Sequence, residues 1–247
     1  MKVIGVVGGI GPEATVDYYR SLLARLRERR DATDPSVLIC SIDLARLLAL
    51  AGRDDHGELT EFLLEAVERL ARGGADLALF AANTPHIVFD DVQRQSSIPL
   101  VSIVVAAREA AHAMGLRRVG ILGTRFTMRG SFFPKVFAVR NIAVVAPRAE
   151  DEDYVHDKYV TELVSGKLLA DTRAGFVAVM DRMRERDGID GVVLGGTELP
   201  LLLREVALSL PMLDTTQIHV DAVIAAAFAE APANRPLQPT SGAGGRN

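Results

Sequence analysis

Twice in 247 residues, short apolar runs alternate with longer stretches of helical periodicity, and a polar turn ends most of the runs. The first round reads Lys2 to Val7, Ser36 to Ile42, Leu77 to Ala81 and Pro99 to Val101 as strands. The second reads Val119 to Leu122, Ile142 to Val145, Gly191 to Leu194 and Pro211 to Leu213. These runs are too short for buried helices, whereas the segments between them carry apolar residues at helical spacing. Pro12 opens one such segment, with Val16, Tyr19, Leu22, Leu23 and Leu26 along it and an end near Arg30. Others cover Leu59 to Leu70, Ile103 to Met114, Glu152 to Leu163, Thr172 to Arg184, Leu199 to Leu208 and Gln217 to Phe228. Such alternation implies parallel sheets with helices on their faces. The expected fold is α/β: two pseudo-symmetric lobes, each a parallel sheet flanked by helices, with a ligand cleft between them. Residues 1–100 with 210–230 form the first lobe and 101–209 the second. Residues 231–247, mostly Pro, Gly, Ala and polar, are expected to be a disordered tail.

In open parallel sheets, ligands bind beyond the carboxyl ends of the strands. The turns at Gly8, Asp43, Ala82, Gly123, Gly195 and Asp214 should gather there. In Ala82-Asn83-Thr84-Pro85-His86, Thr84 suits an N-cap and Pro85 the first helical position. The exposed N–H groups and dipole of such a turn favour a carboxylate. Gly195-Gly196-Thr197-Glu198 ends the equivalent strand of the second round, with Pro200 where a helix should open. Together the two turns suggest one small anionic ligand held between the halves. His86 suits a proton carrier, since imidazole titrates near neutrality, or equally a residue supporting its turn. Glu198 reads as a base or as an acidic first-turn residue. Asp214 and His219 suit orienting roles. Arg46, Arg53, Arg125, Lys158 and Lys167 are candidate carboxylate partners, with Arg125 and Lys167 favoured because each adjoins a turn or helix end. Gly9-Ile10-Gly11-Pro12-Glu13-Ala14 matches the dinucleotide fingerprint, which would make the chain an NAD-binding oxidoreductase. Asp43 lies well beyond the ~20 residues that motif expects, and Pro12 lacks an N–H, so both count against a nucleotide.

Composition narrows the classes further. A net charge of −4 without a dense basic stripe argues against nucleic acid. Cys40 is the one cysteine, so no internal disulfide forms. No run reaches the ~18 unbroken apolar residues of a membrane span, and no signal peptide opens the chain. The expected location is the cytoplasm. No His/Cys/Asp/Glu spacing suggests a metal and no serine nucleophile elbow is present.

Over residues 1–229 the chain resembles the aspartate/glutamate racemase family. The likeness rests on Gly8-Gly9-Ile10-Gly11-Pro12-Glu13-Ala14-Thr15, Asn83-Thr84-Pro85-His86 and Leu122-Gly123-Thr124-Arg125-Phe126-Thr127-Met128. Gly195-Gly196-Thr197-Glu198 and Asp214-Thr215 with His219 complete it. The resemblance implies two pseudo-symmetric lobes, a homodimer, a small-molecule carboxylate ligand, and racemisation without pyridoxal phosphate or any other cofactor. It further implies two opposed cysteines, one removing the α-proton and the other returning a proton from behind. A thiol near pKa ~8.5, lowered at a helix N-terminus, suits that task. Here the family's cysteine positions fall on Ala82 and Gly196, and neither side chain can carry a proton. The carboxylate surroundings implied are Gly9, Asn83, Thr84, Thr124 and Thr197, with Lys167. Two expectations follow. One is a diverged isomerase or lyase on a small amino or dicarboxylic acid, using His86 or Glu198. The other is a non-catalytic protein that keeps the carboxylate pocket.

Overall fold

The computed structural model describes residues 2–28, 36–53, 55–203 and 210–229. It contains two four-stranded parallel sheets. The first is built from β1 (Ile4–Gly8), β2 (Val37–Ser41), β3 (Leu77–Phe80) and β4 (Leu100–Val101), in spatial order β2-β1-β3-β4. The second is built from β5 (Arg118–Leu122), β6 (Ala143–Val145), β7 (Gly191–Leu194) and β8 (Met212–Asp214), in order β6-β5-β7-β8. Strand for strand the two orders are the same, and this is the pseudo-symmetry that the repeated alternation predicts.

The central strands are buried on both faces, which is why they read as unbroken apolar runs. Alternate side chains feed opposite cores. From β1 and β3, Ile4, Val6, Leu77 and Leu79 point to one core, and Val7, Ala78 and Phe80 to the other. The first of these is closed by α1 (Pro12–Glu28), which supplies Tyr18, Leu22 and Leu26. The second is closed by α2 (Leu44–Ala51), α3 (Gly57–Arg72) and α4 (Phe89–Gln95). The second sheet is covered on one face by α5 (Ile103–Ala113) and α7 (Phe132–Ala138), which follows the short α6 (Arg125–Arg129). Its other face carries α8 (Ala149–Thr161), α9 (Ala170–Asp187) and α10 (Leu199–Leu203).

Two helices cross between the lobes. The chain leaves β4 of the first sheet and enters α5, whose Ile103, Val104 and Ala107 pack on the second sheet. It leaves β8 of the second sheet and enters α11 (Thr215–Phe228), whose Val220, Val223 and Ala227 pack on the first. Each crossing helix opens on a side-chain cap: Ser102 accepts from the Val105 N–H and Asp214 from the Gln217 N–H. Within 210–230, then, β8 completes the second sheet and only α11 lies on the first lobe.

Several local expectations change. Thr84 does not cap an α-helix; Thr84–Ile87 is a single 3-10 turn, with α4 beginning two residues later. The helix α2 is an addition to the sequence reading, capped by Asp43, which accepts from the Arg46 N–H at 2.8 Å. Its signal was present as Asp43 followed by Leu44, Leu47, Leu48 and Ala51 at helical spacing. Residues 29–30 and 204–208, expected to end two helices, and the expected tail from 231 lie outside the described residues. Among the described residues no helix is long and apolar enough to cross a membrane.

Candidate functional site

The carboxyl ends of β1, β3, β5 and β7 open onto one cavity of about 270 Å³. Ile10 and Gly11 follow β1, and Ala82, Asn83 and Thr84 follow β3. From the other lobe come Thr124, Phe126 and Thr127 after β5, and Gly195 to Glu198 after β7. The remaining walls come from α2, with Leu44 and Leu48 four residues apart, from α8, with His156 followed one turn on by Tyr159 and Val160, and from Val164 just after α8. Ala82 and Gly196 therefore line the same cavity, at equivalent places in the two lobes. No cysteine lines it; Cys40 sits half-buried on β2, opposite Val7.

The polar centre of the cavity is Glu198. Its side chain is only 3% exposed, although it carries a titratable carboxyl. The Tyr159 hydroxyl donates to Glu198 Oε2, and Thr197 Oγ1 lies 3.2 Å from the same oxygen. Burial holds the Glu198 carboxyl above its ordinary range, with the Tyr159 and Thr197 hydroxyls and a backbone bond opposing the shift. Burial likewise pushes the Tyr159 phenol well up, and the Glu198 charge adds to it. Two glycines make room for this pair. A Cβ on Gly11 would press against Glu198 Oε1, and Gly11 also has a φ of +88° that disfavours other residues. A Cβ on Gly196 would lie 2.6 Å from the Tyr159 hydroxyl oxygen and 2.7 Å from Cζ. Tyr159 thus fills the volume into which any side chain at position 196 would project.

Asn83 contributes the second notable polar group. It is 4% exposed, and neither atom of its side-chain amide has a hydrogen-bonding partner among the described residues. Thr124 caps α6, accepting from the Thr127 N–H at 3.4 Å, and its hydroxyl lies 3.3 Å from that of Thr127.

Other residues singled out from the sequence lie off the cavity wall. The His86 ring stacks on Phe89 with centroids 4.8 Å apart, and its Nε2 accepts from the Ile103 N–H. Burial, with the neighbouring His219, lowers its pKa to about 3. His219 is fully buried, bridging the Tyr18 hydroxyl and the Val101 carbonyl, each at 2.9 Å; burial lowers its pKa to about 4. Since a carbonyl can only accept, His219 Nε2 donates to Val101, and in the neutral ring that burial favours Nδ1 accepts from the Tyr18 hydroxyl. Gly9 donates its N–H to Thr15 Oγ1 at 2.9 Å, and Lys167 follows the turn after α8; neither lines the cavity. Arg53 pairs with Glu58, Lys158 with Glu162, and Arg125 with Asp153 and Glu152, while Arg46 lies over the Phe62 ring. Asp43 and Asp214 are helix caps. Tyr159, His156 and Leu48 are not foreseen, because nothing local in the sequence places α2 or α8 against the turns; Phe126 stands in the turn motif after β5 but is not singled out there. Among the described residues no group of three or more His, Cys, Asp or Glu could hold a metal ion.

Two like-ordered parallel sheets facing one cavity, with Glu198 buried in its wall, define a two-lobed α/β protein with a small-molecule cleft. Residues 7–223 match the Asp/Glu/hydantoin racemase family, and the chain belongs to that family. An aspartate racemase homologue from Pyrococcus horikoshii has a similar structure, at 36% identity and a TM-score of 0.78, over 92% of this chain and 99% of that one. A putative Asp/Glu racemase from Yersinia pestis is similar at 28% identity and a TM-score of 0.83, over 93% and 100%. By sequence, the chain is 21% identical to a broad specificity amino-acid racemase of Bacillus subtilis over 231 residues, 87% of this chain and 93% of that protein.

Proposed function

We propose that this protein binds a small carboxylic acid in the cavity between its lobes and exchanges a proton at the carbon beside the carboxylate, with Glu198 as the proton carrier. Family membership and the names of its relatives support the ligand class. The observation that carries the proton role is the Glu198 carboxyl. It faces the cavity, is shut away from water, and is joined to Tyr159 in the space beside Gly196. Burial raises its pKa towards the working range of an acid or base near neutrality. Glu198 takes the α-proton onto its carboxylate, leaving the electron pair on the substrate carbon and its carboxyl; the neutral acid then returns a proton. On this reading a two-thiol relay plays no part, since Ala82 and Gly196 carry no proton, and the cofactor-independent step that Glu198 supplies is proton exchange on one face of the carbon. The cavity threonines and the unsatisfied Asn83 amide are the groups that hold the carboxylate.

Proton NMR in heavy water tests this. Deuterium should enter the α-position of an amino acid with the unaltered protein and fail to enter with Glu198→Gln. Exchange that survives the substitution would remove Glu198 from the chemistry.

A second reading is favoured by one specific observation: the wall at Ala82 offers no proton carrier to face Glu198. A protein that binds the acid without turning it over would show saturable binding and no exchange.

A further inference from the structure

From the chemistry of the cavity wall we infer that the acid bound here carries an apolar side chain of about leucine or phenylalanine size, and that a second carboxylate is excluded. This rests on the proposal that the cavity takes a small acid, and it concerns the part of the ligand beyond the carboxylate.

The polar groups lie on one side of the cavity, around Asn83, Thr84, Thr197 and Glu198. Thr124, Thr127, His156 and Tyr159 add further polar atoms, and the large apolar side chains of the lining are Ile10, Leu44, Leu48, Phe126, Val160 and Val164. Among the described residues no lysine or arginine lines it. The one basic side chain among the described lining residues is His156, whose Nδ1 accepts from the Arg125 N–H and whose pKa burial and the Arg125 charge both lower. An ionised side-chain carboxylate placed there would be desolvated beside a ring that disfavours the cationic form, and Glu198 would share the same space. The nearest guanidinium groups, Arg125 and Arg129, line the adjoining cavity beyond Phe126 and His156. Their charge is already balanced there, Arg125 by Asp153 and Glu152 and Arg129 by Glu152, although Arg125 Nε makes no hydrogen bond among the described residues.

The apolar wall is also incompletely covered. Leu48 on α2 is 39% exposed and Val160 on α8 is 48% exposed, although both line the cavity. A branched or aromatic side chain between them would remove both from water. Each methylene buried this way tightens binding about fourfold.

Calorimetric titration of the full chain with both enantiomers of leucine, phenylalanine, aspartate and glutamate tests the inference. Leucine or phenylalanine should bind at least about tenfold more tightly than either dicarboxylic acid, the equivalent of between one and two buried methylenes. The variant Leu48→Lys, on a partly exposed helix face, should narrow or reverse that preference without unfolding the protein. Tighter binding of aspartate or glutamate by the unaltered chain would overturn the inference and leave the small-acid proposal standing. Binding of none of the eight would overturn both.

Discussion

Adding a single methyl group at position 196 should separate a cleft shaped around Tyr159 from one that merely lacks a side chain. The backbone of Gly196 is not in the left-handed region, so alanine is permitted by conformation and the substitution tests space alone. The new Cβ would stand 2.7 Å from Tyr159 Cζ, whereas ordinary carbon contacts lie at about 3.5–4.0 Å. The ring would have to withdraw by about 1 Å. It is 4% exposed and tied to Glu198, so the withdrawal disturbs a packed wall and a buried hydrogen bond together. Overpacking of this kind costs about 1–3 kcal/mol. Urea denaturation of Gly196→Ala should show that loss. In Tyr159→Ala, where the ring is gone, the same Gly196→Ala change should cost close to nothing. The double-mutant cycle would then return a coupling of about 1–3 kcal/mol, well above the ~0.5 kcal/mol seen between independent sites. A Gly196→Ala protein as stable as the original, or a cycle that closes to zero, would refute the steric argument. The same collision means that Gly196→Cys should not install a working thiol unless Tyr159 is shortened as well.

Two pH effects follow from the buried groups. Because the folded state raises the Glu198 pKa above its ordinary 4.5, the native protein holds that proton more tightly than the unfolded chain. Its contribution to stability therefore declines as pH climbs from about 4.5 through the folded value, at up to about 1.4 kcal/mol per pH unit. Glu198→Gln should abolish that decline, so urea midpoints of the two proteins diverge in favour of the variant as pH rises; parallel curves would contradict the assignment. The histidines act in the opposite sense. His86 and His219 are depressed from 6.5 to about 3 and about 4, so the stability held above pH 6.5 is lost as pH falls below it. In His86→Gln one of these two slopes is removed, and the stability gap between variant and parent should narrow from pH 7 to pH 5 in chemical denaturation. A gap that does not change with pH would show that His86 does not titrate as its burial requires.

Much of this was readable in the chain. Two rounds of apolar runs with helical segments between them led directly to two parallel sheets, because Val6, Leu79, Ile121 and Val193 belong to strands buried on both faces. Pro12 marks a helix start by its missing N–H, whereas Asp214, read as an orienting residue, is the cap of α11. Local preference failed at Thr84, where Pro85 begins a 3-10 turn and not a longer helix. It failed also at α2, whose cap, Asp43, had been weighed as a ribose ligand. Within the cavity, Ala82, Asn83, Thr84, Thr124, Thr197 and Glu198 were legible because they sit in turns after strands, where topology alone sends them to one edge. Tyr159 was not, since it is separated from Glu198 by 39 residues and lies mid-helix, where a tyrosine ordinarily means core. His86 looked chemical by its type and its position after a strand. Its surroundings, the Phe89 ring and the Ile103 amide, could be known only from the folded chain.

The exchange of α5 and α11 between lobes has a bearing on how the molecule comes into being. During synthesis, the first sheet and α1 are complete once Val101 has been made, yet the core that they share lacks its remaining wall until Val220, Val223 and Ala227 emerge more than a hundred residues later. Severing the chain after β4 would leave the first piece without α11 and the second carrying a helix whose apolar face belongs to the first.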